Sequence, residues 1–285
     1  MTFVAFHTGA GGLPKLAVTT VWSTAEIYLQ GAHVTHFQKL GEPPLLFLSE
    51  QSRFEANAPI RGGIPIIFPW FGKPADKPGQ HGFARHCSWT LKEITTAATG
   101  IVTVRLVLPP APELRAGEIA VEYVVTIGDA LGAELIVANH SAAAFDFESC
   151  LHTYFAVGDI DAVSITGLEG VDYLDSLDGH QPKTEANAAI RFVGEVDRTY
   201  LNTPHPVEIR DESLRRTVRV EKQNSASTVV WNPWIAKSKA MPDFGNGEYQ
   251  RMVCVESGNV AEYQITLAPG QTDSLKVNLS TEGLP

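Results

Sequence analysis

An antiparallel β-sandwich or barrel with few short helices is the fold this sequence predicts, and three observations carry it. Short runs rich in Val, Ile, Leu, Thr and aromatic residues recur along the chain, divided by 18 prolines and 24 glycines. Several runs alternate, as in Glu122–Ile127 and Val218–Glu221, where one parity is the more polar. No segment keeps an amphipathic 3.6-residue period beyond about two turns, and the best helical candidate, Ile235–Ala240, is short. Many strands, tight turns and almost no helix leave an all-β architecture.

In chain order the expected strands begin with Leu16–Trp22, Glu26–Leu29, His33–Gln38 and Leu45–Leu48, each a short β-prone run closed by turn residues. Ile101–Leu108, Ala120–Ile127, Glu134–Asn139 and the long aromatic run Phe145–Phe155 follow. The second half adds Ala162–Thr166, Ala189–Val193, Val207–Arg210, Thr217–Glu221 and Thr228–Trp231. Gln250–Glu256, Val260–Leu267 and Leu275–Leu279 complete the series. No composition break, linker, charge block or repeat interrupts the 285 residues, so one domain spanning 1–285 is expected.

The net charge of −10 argues against nucleic acid or an anionic membrane as partner, since both call for a basic face. It also means that an anionic ligand needs arginines concentrated locally. Cys87, Cys150 and Cys254 are odd in number and far apart, which is no disulfide framework, and no CxxC or His-x-His spacing points to zinc. The first residues lack the basic and apolar regions of a signal peptide, and no run approaches the length of a membrane span. A cytoplasmic, monomeric protein is the expectation.

The most informative segment runs from Pro59 to Gly72, where Arg61 is the sole charge and sits beside Gly62 and Gly63. Gln80-His81-Gly82-Phe83-Ala84-Arg85 follows soon after. Two arginines and a histidine on glycine-punctuated loops suit a pocket for a polar, anionic small molecule. In Arg251–Gly258, strand alternation puts Met252, Cys254 and Glu256 on one face, so Glu256 ends an apolar run at a sheet rim or inside a concave face. A carboxyl desolvated there rises toward a general base's working range; a solvent-facing strand end is the plain alternative. In Phe145–Phe155 the same alternation collects Glu148, Cys150, His152 and Tyr154 on one face, although a histidine in such a strand also suits a core hydrogen bond. Trp231-Asn232-Pro233-Trp234 offers indoles for stacking on a sugar and an asparagine for its hydroxyls, with core packing as the alternative. Asp197 reads as a surface aspartate, and His86, His140, His180 and His205 lack companions. His33 and His36 lie three apart in a strand and face opposite ways.

Taken together, these motifs resemble the hexose-6-phosphate mutarotase branch of the aldose 1-epimerase superfamily. The resemblance rests on Arg61-Gly62-Gly63-Ile64-Pro65 with Phe68-Pro69 and Phe71-Gly72, and on Gln80–Arg85 with Trp89. Leu151–Phe155, Asp197–Tyr200, Trp231–Trp234 and Val255-Glu256 continue it in the family's order, over roughly residues 59–256. It departs at Trp70, where a polar residue is more usual. What it implies is a galactose-mutarotase-like β-supersandwich that interconverts the α and β anomers of a hexose 6-phosphate without cofactor or metal. By position, His152 matches the family's general acid and Glu256 its general base. Arg61, Gln80 and Arg85 match substrate- and phosphate-binding positions, Asp197 matches a sugar-hydroxyl binder, and His81 lines the same site, with Trp231 against the sugar. Three other readings stand beside this one: a non-catalytic sugar-binding sandwich, an epimerase of free sugars, and a glycoside hydrolase, for which Glu256 has only Asp197 as a second carboxylate.

Overall fold

Alternation along the strands builds two eight-stranded sheets. In Leu131–Asn139 every second residue is buried, and Arg216–Gln223 repeats the pattern, so each strand gives one face to a core and one to solvent. The structure, a computed structural model, describes residues 2–284. One sheet runs in the order Val163–Thr166, Val207–Asp211, Arg216–Gln223, Thr272–Gly283, Leu131–Asn139, Ile119–Ile127, Val102–Val107 and Thr90–Thr96. The other runs Gln181–Thr184, Asp172–Asp175, Val196–Leu201, Ser227–Asn232, Met252–Asn259, Ser149–Leu151 and Ile66–Ile67, with Tyr154–Ala156 also paired to Met252–Asn259. The strands pair antiparallel throughout both sheets. A four-stranded N-terminal sheet spans Phe3–Thr8 to His33–Lys39, and Phe145–Phe147 pairs with Ile265–Leu267.

One apolar cluster draws on the four-stranded sheet and on both large sheets, from Leu16 and Val34 through Val104 and Tyr123 to Val230, Val255 and Leu279. Met252–Asn259 gives it Val253 and Val255, and every residue of the strand is buried, which is why it reads as an apolar run. No helix among the described residues is long and apolar enough to cross a membrane.

The all-β architecture matches the sequence expectation, with local differences. Phe145–Phe155 is three short strands, Phe145–Phe147, Ser149–Leu151 and Tyr154–Ala156, because it switches partners from Ile265–Leu267 to Met252–Asn259. Leu45–Leu48 and Ala189–Val193 form isolated bridges only, and Val260–Leu267 opens with a helical turn before its strand. Phe3–Thr8, Thr90–Thr96, Asp172–Asp175, Gln181–Thr184 and Val196–Leu201 are strands that the hydrophobic pattern does not announce. Thr90–Thr96 is an example of the cause: it is an edge strand with an exposed, polar pattern. The helix spans Trp234–Ala240, one residue longer than expected.

Candidate functional site

Two glycines set the loops that carry the arginines. Gly62 has φ +117°, and a Cβ there would lie 2.4 Å from the Phe47 carbonyl oxygen. Gly82 has φ +66°, and a Cβ there would lie 1.9 Å from the Phe68 carbonyl oxygen. Neither approach tolerates a side chain, so the segments bearing Arg61 and Gln80–Arg85 fold down against the strands beneath them. Both arginines thereby reach the mouth of a cleft of about 500 Å³ that is floored by His152, Tyr154 and Glu256.

The floor comes from the central sheet. Glu256 is buried on Met252–Asn259, and His152 lies just beyond Ser149–Leu151, the neighbouring strand. Their side chains meet, with His152 Nε2 3.2 Å from Glu256 Oε1. The Cys150 thiol donates to the other carboxylate oxygen, Oε2, at 3.5 Å. Below the cleft the imidazole stacks on the Tyr154 ring at 4.8 Å and 10°. Burial pushes the Glu256 carboxyl well above the ordinary carboxylate range. Burial also holds the His152 imidazole well below its usual value, helped by His81, Arg85 and Arg61. A carboxyl and an imidazole that both resist charge share one proton between them, so the pair offers one donor and one acceptor side by side.

The arginines differ. Arg61 donates through Nε and Nη2 to Asp243 Oδ2 at 3.2 and 3.1 Å and through Nη1 to the Tyr154 hydroxyl at 3.0 Å, which raises its pKa further. Arg85 donates to the Gln80 carbonyl at 2.9 Å, its Nε is buried without a partner, and it has no carboxylate ion pair among the described residues. Burial and the Arg61 charge bring Arg85 down to about 10, so it remains cationic at neutral pH. His81, φ +63°, accepts from the Gly72 N–H at Nδ1, and its Nε2 is 2.9 Å from the Gln80 amide. Burial with the two arginine charges lowers it to about 3, so it is neutral.

Across the cleft, Asp197 on Val196–Leu201 lies 3.6 Å from Lys237 Nζ, and burial raises its pKa despite that cation. Lys237 sits 5.9 Å over the Trp231 ring. The Trp231 indole stands nearly perpendicular to His152 at 6.2 Å and 79° and forms one wall.

Arg61, Gln80, His81, Arg85, His152, Asp197, Trp231 and Glu256 therefore all converge on one cleft, although they are spread over residues 61–256. Four readings need correction. Glu148 lies outside the cleft lining and is occupied by the Phe71 and Ala261 N–H groups. Asn232 spends its amide on the Tyr249 and Met252 carbonyls and its oxygen on the Trp234 N–H, so it shapes the turn. Trp234 packs on Tyr249 outside the cleft. Asp197 is not a surface aspartate. Sequence reasoning also missed cleft residues. His180 and Ser176 arrive on a turn whose neighbours are remote in sequence, which leaves no local signal. Lys237 lies on the expected helix, but its cleft partner Asp197 is remote in sequence.

Sequence spacing gave no metal site, yet the fold gathers one donor each from His152, Cys254 and Glu256, all buried and all within 4.8 Å of one another.

The sequence pattern of the aldose 1-epimerase family matches residues 19–280. The chain belongs to that family. A protein of Cenchrus ciliaris named "putative glucose-6-phosphate 1-epimerase" is 39% identical over 269 residues, 90% of this chain and 80% of that one. An Escherichia coli K12 protein of the same name is 35% identical, over 84% of this chain and 81% of its own. The crystal structure of a Salmonella typhimurium protein described as a "putative mutarotase" superposes with a TM-score of 0.90 at 28% identity, covering 98% of this chain and 94% of that one. A galactose mutarotase-like protein of Clostridium acetobutylicum shares the fold, with a TM-score of 0.72 at 15% identity over 99% of each chain. This aldose 1-epimerase family member is thus an isomerase that interconverts sugar anomers, on a galactose mutarotase-like β-fold.

Proposed function

We propose that the substrate is a hexose 6-phosphate and that His152 and Glu256 open and close its ring. The observation that carries this reading is the 3.2 Å contact between His152 Nε2 and Glu256 Oε1 on the floor of a cleft whose mouth holds Arg85 without a carboxylate partner. Anomerisation removes the proton from the C1 hydroxyl and delivers one to the ring oxygen. Both oxygens are bonded to C1, so acid and base must be neighbours and not face each other across the sugar. A juxtaposed pair sharing one proton meets that need: with that proton on His152, the Glu256 carboxylate takes the hydroxyl proton while His152 protonates the ring oxygen. C1 then rotates in the open aldehyde, and the roles reverse on closure.

The remaining residues hold the ring in place. Arg85, with Arg61 beside it, anchors the phosphate, supplying the local positive charge that a chain of net charge −10 lacks overall. Gln80, His81 and Asp197 bond sugar hydroxyls, and the Trp231 face covers the apolar side of the ring. The names of the relatives from Cenchrus ciliaris and Escherichia coli agree with a phosphorylated sugar. We also read the chain as one folding unit, because one core cluster draws on the four-stranded sheet and on both large sheets.

The test is anomer exchange followed by NMR or polarimetry with phosphorylated and free hexoses side by side. Faster exchange of the 6-phosphates supports the reading. Equal or slower exchange than for the free sugars removes the phosphate from it.

A further inference from the structure

We infer that His152, Cys254 and Glu256 form a three-ligand site at which a thiophilic divalent cation, Zn²⁺ or Cd²⁺, binds reversibly and switches the activity off. Cys254 and Glu256 are two apart on Met252–Asn259, so their side chains leave the same face of one strand. His152 reaches that face from the neighbouring segment, and Tyr154, two residues on, pairs directly with Cys254. The result is one imidazole nitrogen, one sulfur and one carboxylate oxygen, mutually within 4.8 Å. Zinc takes this donor set in tetrahedral sites, with bonds of about 2.0–2.3 Å, which puts neighbouring ligand atoms about 3.5 Å apart. The His152–Glu256 separation of 3.2 Å is already near that value, so closing the site asks mainly for rotation at the thiol.

The site also has an entrance and a vacant fourth direction. Glu256 and His152 line the cleft floor, while Cys254 is wholly buried just beneath, beside Tyr154 and Trp231. A cation entering from the cleft would be held from below by sulfur and from the sides by nitrogen and oxygen, leaving its fourth position toward solvent or substrate. Binding releases two protons to the buffer, that of the thiol and the one shared by His152 and Glu256, and leaves a thiolate–metal bond, with no redox change. Hard cations prefer oxygen donors, so Mg²⁺ and Ca²⁺ are excluded by the ligand set. Cys150 stays outside as a hydrogen-bond donor to the second carboxylate oxygen.

That the cation binds rests on the geometry alone; that it inhibits rests on the acid–base role proposed for His152 and Glu256. Two readouts keep these apart. Co²⁺ titration of the intact protein should give a thiolate-to-cobalt charge-transfer band and intense tetrahedral d–d bands. Both should be lost in Cys254→Ala and His152→Ala and kept in Cys150→Ala, with folding of each variant checked by circular dichroism. Absence of the thiolate band, or its loss in Cys150→Ala and survival in Cys254→Ala, overturns the site. In metal-buffered assays Zn²⁺ should inhibit the wild type at least 10-fold, reversibly with EDTA, and Mg²⁺ should not. Cys254→Ala should keep its basal rate and resist Zn²⁺. A protein that shows the Co²⁺ spectrum yet turns over normally with Zn²⁺ bound overturns the inhibition, and with it the role of the pair, while the site stands.

Discussion

His152 Nε2 and Glu256 Oε1 lie 3.2 Å apart although their residues belong to separate segments of the sheet. If this contact is the acid–base pair, His152→Ala and Glu256→Gln should each lower the anomerisation rate by about 100-fold or more with the fold intact. Anomer exchange by NMR on variants of unchanged circular dichroism measures it. Near-normal turnover in either variant takes that residue out of the mechanism.

Arg85 and Arg61 should respond differently to truncation. Arg85→Ala removes a cation with no carboxylate partner, so catalytic efficiency on a hexose 6-phosphate should fall roughly 10- to 200-fold, with little change on the free hexose. The loss should shrink as salt rises. Equal losses on both sugars would make Arg85 structural.

Arg61→Ala removes the partner of a largely buried carboxylate, Asp243, which is only 14% exposed. Stability should therefore fall by about 1–3 kcal/mol, which Arg85→Ala should not do. Chemical denaturation of the two variants side by side decides this, and identical midpoints would count against the ion pair.

His33 supplies a pH dependence. Its Nε2 is 2.6 Å from the Gly62 carbonyl beside Arg61, and burial lowers its pKa from 6.5 to about 4. The unfolded chain therefore binds a proton between these values that the folded chain refuses. The His33 share of stability is complete above pH 6.5 and is lost as pH falls toward 4, up to roughly 3 kcal/mol. Thermal melts across that window should slope less steeply in His33→Asn than in the wild type. Parallel slopes would exclude His33 as the source.

Gly82→Ala should destabilise by roughly 2 kcal/mol or more and abolish efficient turnover, because the new Cβ meets the Phe68 backbone at a positive φ. A variant with wild-type melting and activity would mean that the loop has another low-energy path.

The all-β class was legible because alternation and turn residues are local signals, and they survive in strands such as Leu131–Asn139. Edge strands such as Thr90–Thr96 escaped because water satisfies their outer face and removes the apolar pattern. In the site, Glu256 announced itself by ending an apolar run. Asp197 could not, since its burial is produced by partners remote in sequence. The neighbours of Glu256 were half visible: the Phe145–Phe155 alternation grouped Cys150, His152 and Tyr154 correctly and failed at Glu148, where the chain changes strand partners. Asn232 and Trp234 were misread because a turn motif does not reveal whether its polar atoms are already engaged.

Glu256 sits on a strand flanked on both sides, whereas Arg85 and Gln80 hang on a loop folded over Phe68. Amide hydrogens around Glu256 should exchange only through openings close to global unfolding, and those of the Gln80 loop through far cheaper ones. With the roles proposed above, the reaction chemistry is bound to the most persistent part of the molecule and ligand choice to a replaceable part. Such a division leaves descendants of this chain free to trade one sugar for another by rewriting loops, with the proton-transfer pair left untouched.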